Sequence, residues 1–218
     1  MTRLALLLAA GLVLAPVAVA VAAPSTYWQR DITPADRKRL ARLWEAWTRS
    51  LNQSQAAGQG AALAALGPVV VPDAAAMNAD ADDVVAARVA GPLPTAGSYR
   101  CRLVKMGQRE GGMAPPAAAM VTVGAPGACR ITAQGDGLRF EQQAGPERLV
   151  GRLYPDGDRF VFLGTTKLAG ETAAIHYGAD PDRDAVGALR AMDGGKWRLE
   201  LPWPNWQANL AIVEISPA

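Results

Sequence analysis

The sequence has one histidine, two cysteines and three phenylalanines among 218 residues. One histidine leaves nothing for a His-rich metal site or a His-based proton relay. Two cysteines exclude a four-cysteine zinc site and a disulfide-dense scaffold. Neither sign of charge dominates. Lys and Arg number 22 against 20 Asp and Glu, a net +2, so there is no basic field to hold nucleic acid by phosphate neutralisation. Serine occurs only at Ser25, Ser50, Ser54, Ser98 and Ser216. None lies in G-x-S-x-G, and H-E-x-x-H, the P-loop and G-x-G-x-x-G entering a helix are missing too. Beyond position 23 there is no apolar run of the ~20 residues a membrane helix needs.

What is present begins with an address. Arg3 is a short basic region, Leu4 to Ala15 an apolar stretch, and Ala18-Val19-Ala20 an A-x-A cleavage site, with Ala20-Val21-Ala22 a near-equal second. Residues 1–20 therefore read as a signal peptide, the other reading being an uncleaved anchor over Leu4 to Ala23. The first Cys is Cys101, too far along for a lipoprotein. Export places the chain in the periplasm or outside the cell, where a Cys101–Cys129 disulfide is the natural use of both thiols.

Three segments follow: 21–57 with a helix from about 34, an Ala/Gly/Pro-rich connector over 58–96, and a β domain over 97–218. Thr33 caps the helix, Pro34 opens it and Asp36 adds an acid to its first turn. Leu40, Leu43, Trp44, Trp47 and Leu51 form an apolar stripe, and Gly58 stops the helix after about Ala57. The basic ring Arg37, Lys38, Arg39, Arg42 and Arg49 reads as a solvated face. In the connector, Val69 to Val71 has the look of a short strand.

From Gly97 onward the pattern alternates. Strands are expected near 99–104, 129–133, 138–141, 149–154, 160–168, 186–192, 197–201 and 210–215. Gln134-Gly135-Asp136-Gly137, Pro155-Asp156-Gly157-Asp158 and Asp193-Gly194-Gly195 are tight turns. The fold class is mainly β: an eight-stranded antiparallel up-and-down, lipocalin-like barrel with an N-terminal amphipathic α-helix, a two-sheet sandwich being the other arrangement. In such a meander connections alternate between the two ends. The tight turns share one end, while 107–128, 169–185 and 202–209 share the other. Long loops on a rigid scaffold are where binding resides. The candidate ligand-binding residues at that end are Met113, Met120, His176, Tyr177, Trp203 and Trp206.

Candidate chemistry is sparse. Asp180, Asp182 and Asp184 alternate as in a calcium loop, but Ala185 replaces the glycine and Ala191 the closing glutamate, so they read as a solvated loop. Glu141, Glu147, Glu200 and Glu214 are available carboxylates that no spacing brings together. Glu214 faces inward if Leu210 and Ile212 do, and then needs Arg100, Arg102 or Arg152. If Ala211, Val213 and Ile215 face inward, it is solvated.

Thr33-Pro34-Ala35-Asp36-Arg37, Gly97-Ser98-Tyr99-Arg100-Cys101-Arg102 and Gly151-Arg152-Leu153-Tyr154-Pro155-Asp156-Gly157-Asp158 carry a family likeness. So do Val161-Phe162-Leu163-Gly164-Thr165, Tyr177-Gly178 through Asp184 and Leu201-Pro202-Trp203-Pro204. With them the chain resembles the exported bacterial domain-of-unknown-function family 4893, which implies no activity. The 108–127 connection is longer than that family's pattern. Gly97-Ser98-Tyr99 is also similar to the G-x-W entry of calycin-type barrels. The disulfide between the first two strands is similar to that of periplasmic metalloprotease inhibitors, although here a helix and connector replace their N-terminal trunk.

The expectation is a monomeric, non-enzymatic binding protein without cofactor or metal, taking an apolar or amphiphilic ligand at the long-loop end. The alternatives are a periplasmic protein-interaction or protease-inhibitor module contacting an envelope protein, and an enzyme of unknown reaction. A barrel packed solid by Phe140, Phe160, Phe162 and Trp197 favours the interaction module.

Overall fold

The structure is a computed structural model that describes residues 27–66, 91–110, 120–204 and 208–218. The expected signal peptide (residues 1–20), the expected strand at Val69 to Val71, Met113 and Trp206 lie outside the described residues. Four helices come first: α1 (Trp28–Asp31), α2 (Pro34–Ala41), α3 (Leu43–Ala56) and α4 (Gly60–Ala65). Nine strands follow: β1 (Gly97–Met106), β2 (Val121–Val123), β3 (Gly127–Gln134), β4 (Gly137–Gln142), β5 (Glu147–Asp156), β6 (Arg159–Leu168), β7 (Asp184–Met192), β8 (Lys196–Pro202) and β9 (Leu210–Pro217).

All pairings are antiparallel, and β9 returns to pair with β1 over Tyr99↔Pro217 to Met106↔Leu210. β2 and β3 both pair with β1, one beyond the other, so they occupy one position in the wall and the closed barrel has eight. The break between them falls at 124–126, where Pro126 has no N–H to give the ladder. Closure leaves no long unpaired edge. The alternation of long and tight connections follows from this topology. Residues 135–136, 157–158 and 193–195 turn at one end, and the strand ends bounding the β1–β2, β6–β7 and β8–β9 connections lie at the other.

The interior is filled. Tyr99, Phe140, Phe160, Phe162, Leu189, Trp197 and Leu199 belong to one buried cluster, with Phe140 and Phe162 fully inaccessible. These two rings meet edge-to-face at 6.1 Å. Glycines make their space. Gly151 sits opposite Phe140 on β4 and opposite Gly164 on β6, while Gly187 sits opposite Phe162. A Cβ on Gly164 would lie 2.4 Å from Phe162 Cζ and 2.5 Å from the Val150 carbonyl oxygen. Gly164→Ala is therefore expected to cost about 1–3 kcal/mol by overpacking, read as a lower urea midpoint at unchanged slope. At the tight-turn end, residues 91–96 cover the plug. The Trp197 indole donates to the Pro92 carbonyl at 2.8 Å, and the Tyr99 hydroxyl donates to that of Thr95.

The helices clad part of the outside, with α1 on β6, α2 on β7 and β8, and α3 on β8, β9 and β1. The sequence led us to expect one helix from Pro34 to about Ala57. The structure breaks it at Arg42 (φ −106°, ψ 23°), so that α2 and α3 follow the curved wall separately. Ala46, Trp47 and Leu51 pack on Val104, Met106, Leu210 and Ile212. β9 is therefore apolar on both faces: Ala211, Val213 and Ile215 fill the barrel, while Leu210 and Ile212 face the helix. Glu214 lies on the outer side, paired with Arg102 at 2.6 Å. Beside it Glu200 accepts from Arg198 at 2.7 Å and Arg190 at 3.3 Å, and Trp47 lies 5.1 Å from the Arg198 guanidinium.

Candidate functional site

The long-loop end is built by the strand ends that the helices reach. Helix α2 begins as its sequence requires, with the Asp36 amide donating to Thr33 Oγ1 at 3.1 Å. This cap meets the β6–β7 connection. The Thr33 amide donates to the Tyr177 hydroxyl at 3.1 Å, and that hydroxyl donates to Asp36 Oδ2 at 2.6 Å. Asp36, only 1% exposed, receives Arg39 on its other oxygen. Arg39 also donates to the carbonyls of Trp203 and Asp184 at 3.3 and 2.9 Å. One ion pair on α2 thus gathers the β6–β7 and β8–β9 connections. The likeness-bearing stretches that start with Thr33, Tyr177 and Leu201 meet here in space.

Asp184 closes the cluster by accepting the Gly178 amide at 2.8 Å. Burial, with the nearby Asp36 charge, pushes its carboxyl above the usual range. Asp182 donates its amide to Asp180 Oδ1, a local turn of the kind that Asp in a solvated loop makes. Among the described residues no group of three or more metal-ligating side chains forms.

A second phenol–carboxylate bond works alongside. The Tyr154 hydroxyl donates to Asp31 Oδ2 at 2.6 Å, holding α1, and its pKa is pushed up to about 12 by burial and then by that bond. The Tyr177 hydroxyl is raised further, chiefly by burial. A raised phenol favours the protonated, folded form. Its contribution is complete below the ordinary value of 10 and is lost as pH climbs towards the folded value. Titration should show phenolate absorbance lagging past pH 10, with α1 and α2 undocking as pH nears about 12. Tyr154→Phe should remove the part of that pH dependence belonging to α1.

Inside the mouth the wall changes from apolar to mixed. Lys105 Nζ reaches Glu147 Oε2 at 2.7 Å, spanning from β1 to β5, strands that do not pair. Gln142 accepts the Leu149 amide at 3.0 Å. The cavity among Leu103, Leu149, Ala185, Leu201 and Ala211 is about 60 Å³. That is room for a few waters, well short of the ~300 Å³ at which ligand pockets begin.

Of the candidate residues, Tyr177 and Trp203 are brought to one cluster through Asp36 and Arg39. Trp203 is buried with Trp47 and Leu51, in the left-handed region at φ 50°. Such backbone costs a non-glycine residue about 1–2 kcal/mol. Its amide donates to the Asn209 carbonyl at 2.7 Å, while its indole N–H is buried without an acceptor. His176 is exposed, and its carbonyl accepts the Ala179 amide. Met120 is half-buried at the rim, its carbonyl accepting the Gly107 amide. Asp36, Arg39 and the buried Ser50 and Ser54 are positions the sequence did not single out as a site. Their one legible signal was polar side chains interleaved in the apolar stripe.

The carboxylates considered for acid–base work each face a cation: Glu147 with Lys105, Glu200 with Arg198, Glu214 with Arg102, and Glu141 with Arg139 at 3.9 Å. Residues 28–215 match the family model described as Domain of unknown function (DUF4893). No curated protein and no solved structure matches the chain.

Proposed function

The chain belongs to the DUF4893 family, whose model runs from α1 into β9, and from that premise we propose that it is an exported protein-interaction module. It contacts its partner with the long-loop end and the helices fastened there. The observation that carries this reading is the filled interior. Phe140 and Phe162 meet edge-to-face inside the barrel, and the cavity at the mouth is about 60 Å³, too little for an acyl chain. The barrel therefore acts as a scaffold rather than a container, and binding falls to its surface. The Cys101–Cys129 disulfide, linking β1 to β3 with Cα atoms 5.8 Å apart, supports an oxidising compartment.

Photo-crosslinking residues placed singly at Met120 and His176, and at Asp136 and Asp193 on the tight-turn end, test it in the producing cell. Higher-mass adducts from the first pair alone are expected. Adducts from both ends alike would sink the reading.

A further inference from the structure

The outer rim of the long-loop end holds a groove of about 230 Å³ lined by Lys38, Arg39, Arg42, Arg49, Arg109, Glu110 and Trp203. Trp203 forms part of its wall, with the Arg42 and Arg49 guanidinium carbons 5.0 and 5.9 Å from the ring centroid. Among the described residues, Asp36 pairs with Arg39, Glu45 with Arg42 and Glu110 with Arg49. Only Asp36 is buried. Glu45 and Glu110 are 48% and 81% exposed, and such surface pairs are worth about 0–1 kcal/mol, so an incoming carboxylate can replace them at little cost.

We propose that this groove docks an acidic segment of the partner polypeptide, an inference that rests on the protein-interaction reading above. Three features select that occupant. Four of the five cations are arginines, whose planar forks match carboxylates two bonds at a time. Along α3 alone, from its cap residue Arg42 to Arg49, the helical face extends about 10 Å at ~1.5 Å per residue. That length suits about three residues of extended chain rather than a single ion. Among the described residues the large exposed apolar side chains are Tyr27 and Val123. Neither lines the groove, so the described residues give it no exposed apolar anchor to insert into a lipid surface.

Fluorescence anisotropy on the full chain tests the proposal, with a dye-labelled peptide alternating glutamate and alanine and its lysine-for-glutamate counterpart. The glutamate peptide should bind, increasingly weakly as salt is added, and the lysine peptide should not. The double variant Arg42→Gln/Arg49→Gln should weaken binding about tenfold or more, and Arg42→Lys/Arg49→Lys should fall between. Arg130→Gln, on the exposed outer side of β3, should change nothing. Far-ultraviolet circular dichroism confirms that each variant is folded. Equal binding by wild type and the glutamine variant overturns the groove. So does sedimentation with phosphatidylglycerol vesicles in the absence of peptide binding. Either result leaves loop-end cross-links standing, whereas cross-links from both ends overturn the interaction module itself.

Discussion

Glu200→Ala should lower the unfolding free energy by about 3–5 kcal/mol, the usual cost of removing one partner from a buried ion pair. Glu200 is 3% exposed and serves two cations, Arg198 and Arg190, whose side chains are 9% and 14% exposed. Both lie on the outer side of the wall, with Trp47 of α3 over Arg198. Taking away the carboxylate leaves two guanidiniums with little access to water, and the cheapest relief is for α3 to lift. Loss of helix docking should therefore precede loss of the barrel, seen as Trp fluorescence changing before the β signal in circular dichroism. Replacing Glu200, Arg190 and Arg198 together by apolar residues should recover much of the loss, because the penalty belongs to buried charges that no longer face the Glu200 carboxylate. Coincident transitions, with no loss relative to wild type, would show that the carboxylate is dispensable.

Removing the disulfide should cost nearly as much. Cys101 and Cys129 are separated by 28 residues and join β1 to β3 beside the end-cap formed by Tyr99 and Trp197. In the chain-entropy account, opening a loop of that size releases about 3–4 kcal/mol of denatured-state constraint. The double variant Cys101→Ala/Cys129→Ala and the reduced wild type should unfold at matching, lower urea concentrations. Equal midpoints for oxidised and reduced protein would show that the bond adds nothing to stability.

The barrel was legible because its strands alternate and its tight turns carry Gly at positive φ, as at Gly135, Gly157 and Gly194. The loop parity followed from strand count alone. β9 was ambiguous for a physical reason. Its period-two signal vanishes because α3 buries the outer face that solvent would otherwise mark as polar, leaving Leu210, Ile212 and Ala211 equally apolar. Glu214 then resolves as a third case: outward, yet held by Arg102. The helix break at Arg42 was not legible, since it answers to the curvature of a wall the local sequence does not encode. Nor was the role of Asp36, Ser50 and Ser54. Ser50 Oγ reaches the carbonyls of Ala46 and Met106, and Asp36 meets a phenol 141 residues away. Tyr177 and Trp203 were singled out by their place in long loops, although the sequence could not say that α2 would bind them together.

The distance between those partners has a consequence for how the molecule is made. Thr33 waits for Tyr177 across 144 residues, Arg39 for Trp203 across 164, and Gln53 for Asn209 across 156. The helices are synthesised first, but their docking site does not exist until β7, β8 and β9 have been delivered, and β9 is also the strand that shuts the barrel. Such long-range closure slows folding. The nascent chain thus stays unlatched until its last strand arrives and commits to its native form in one late step.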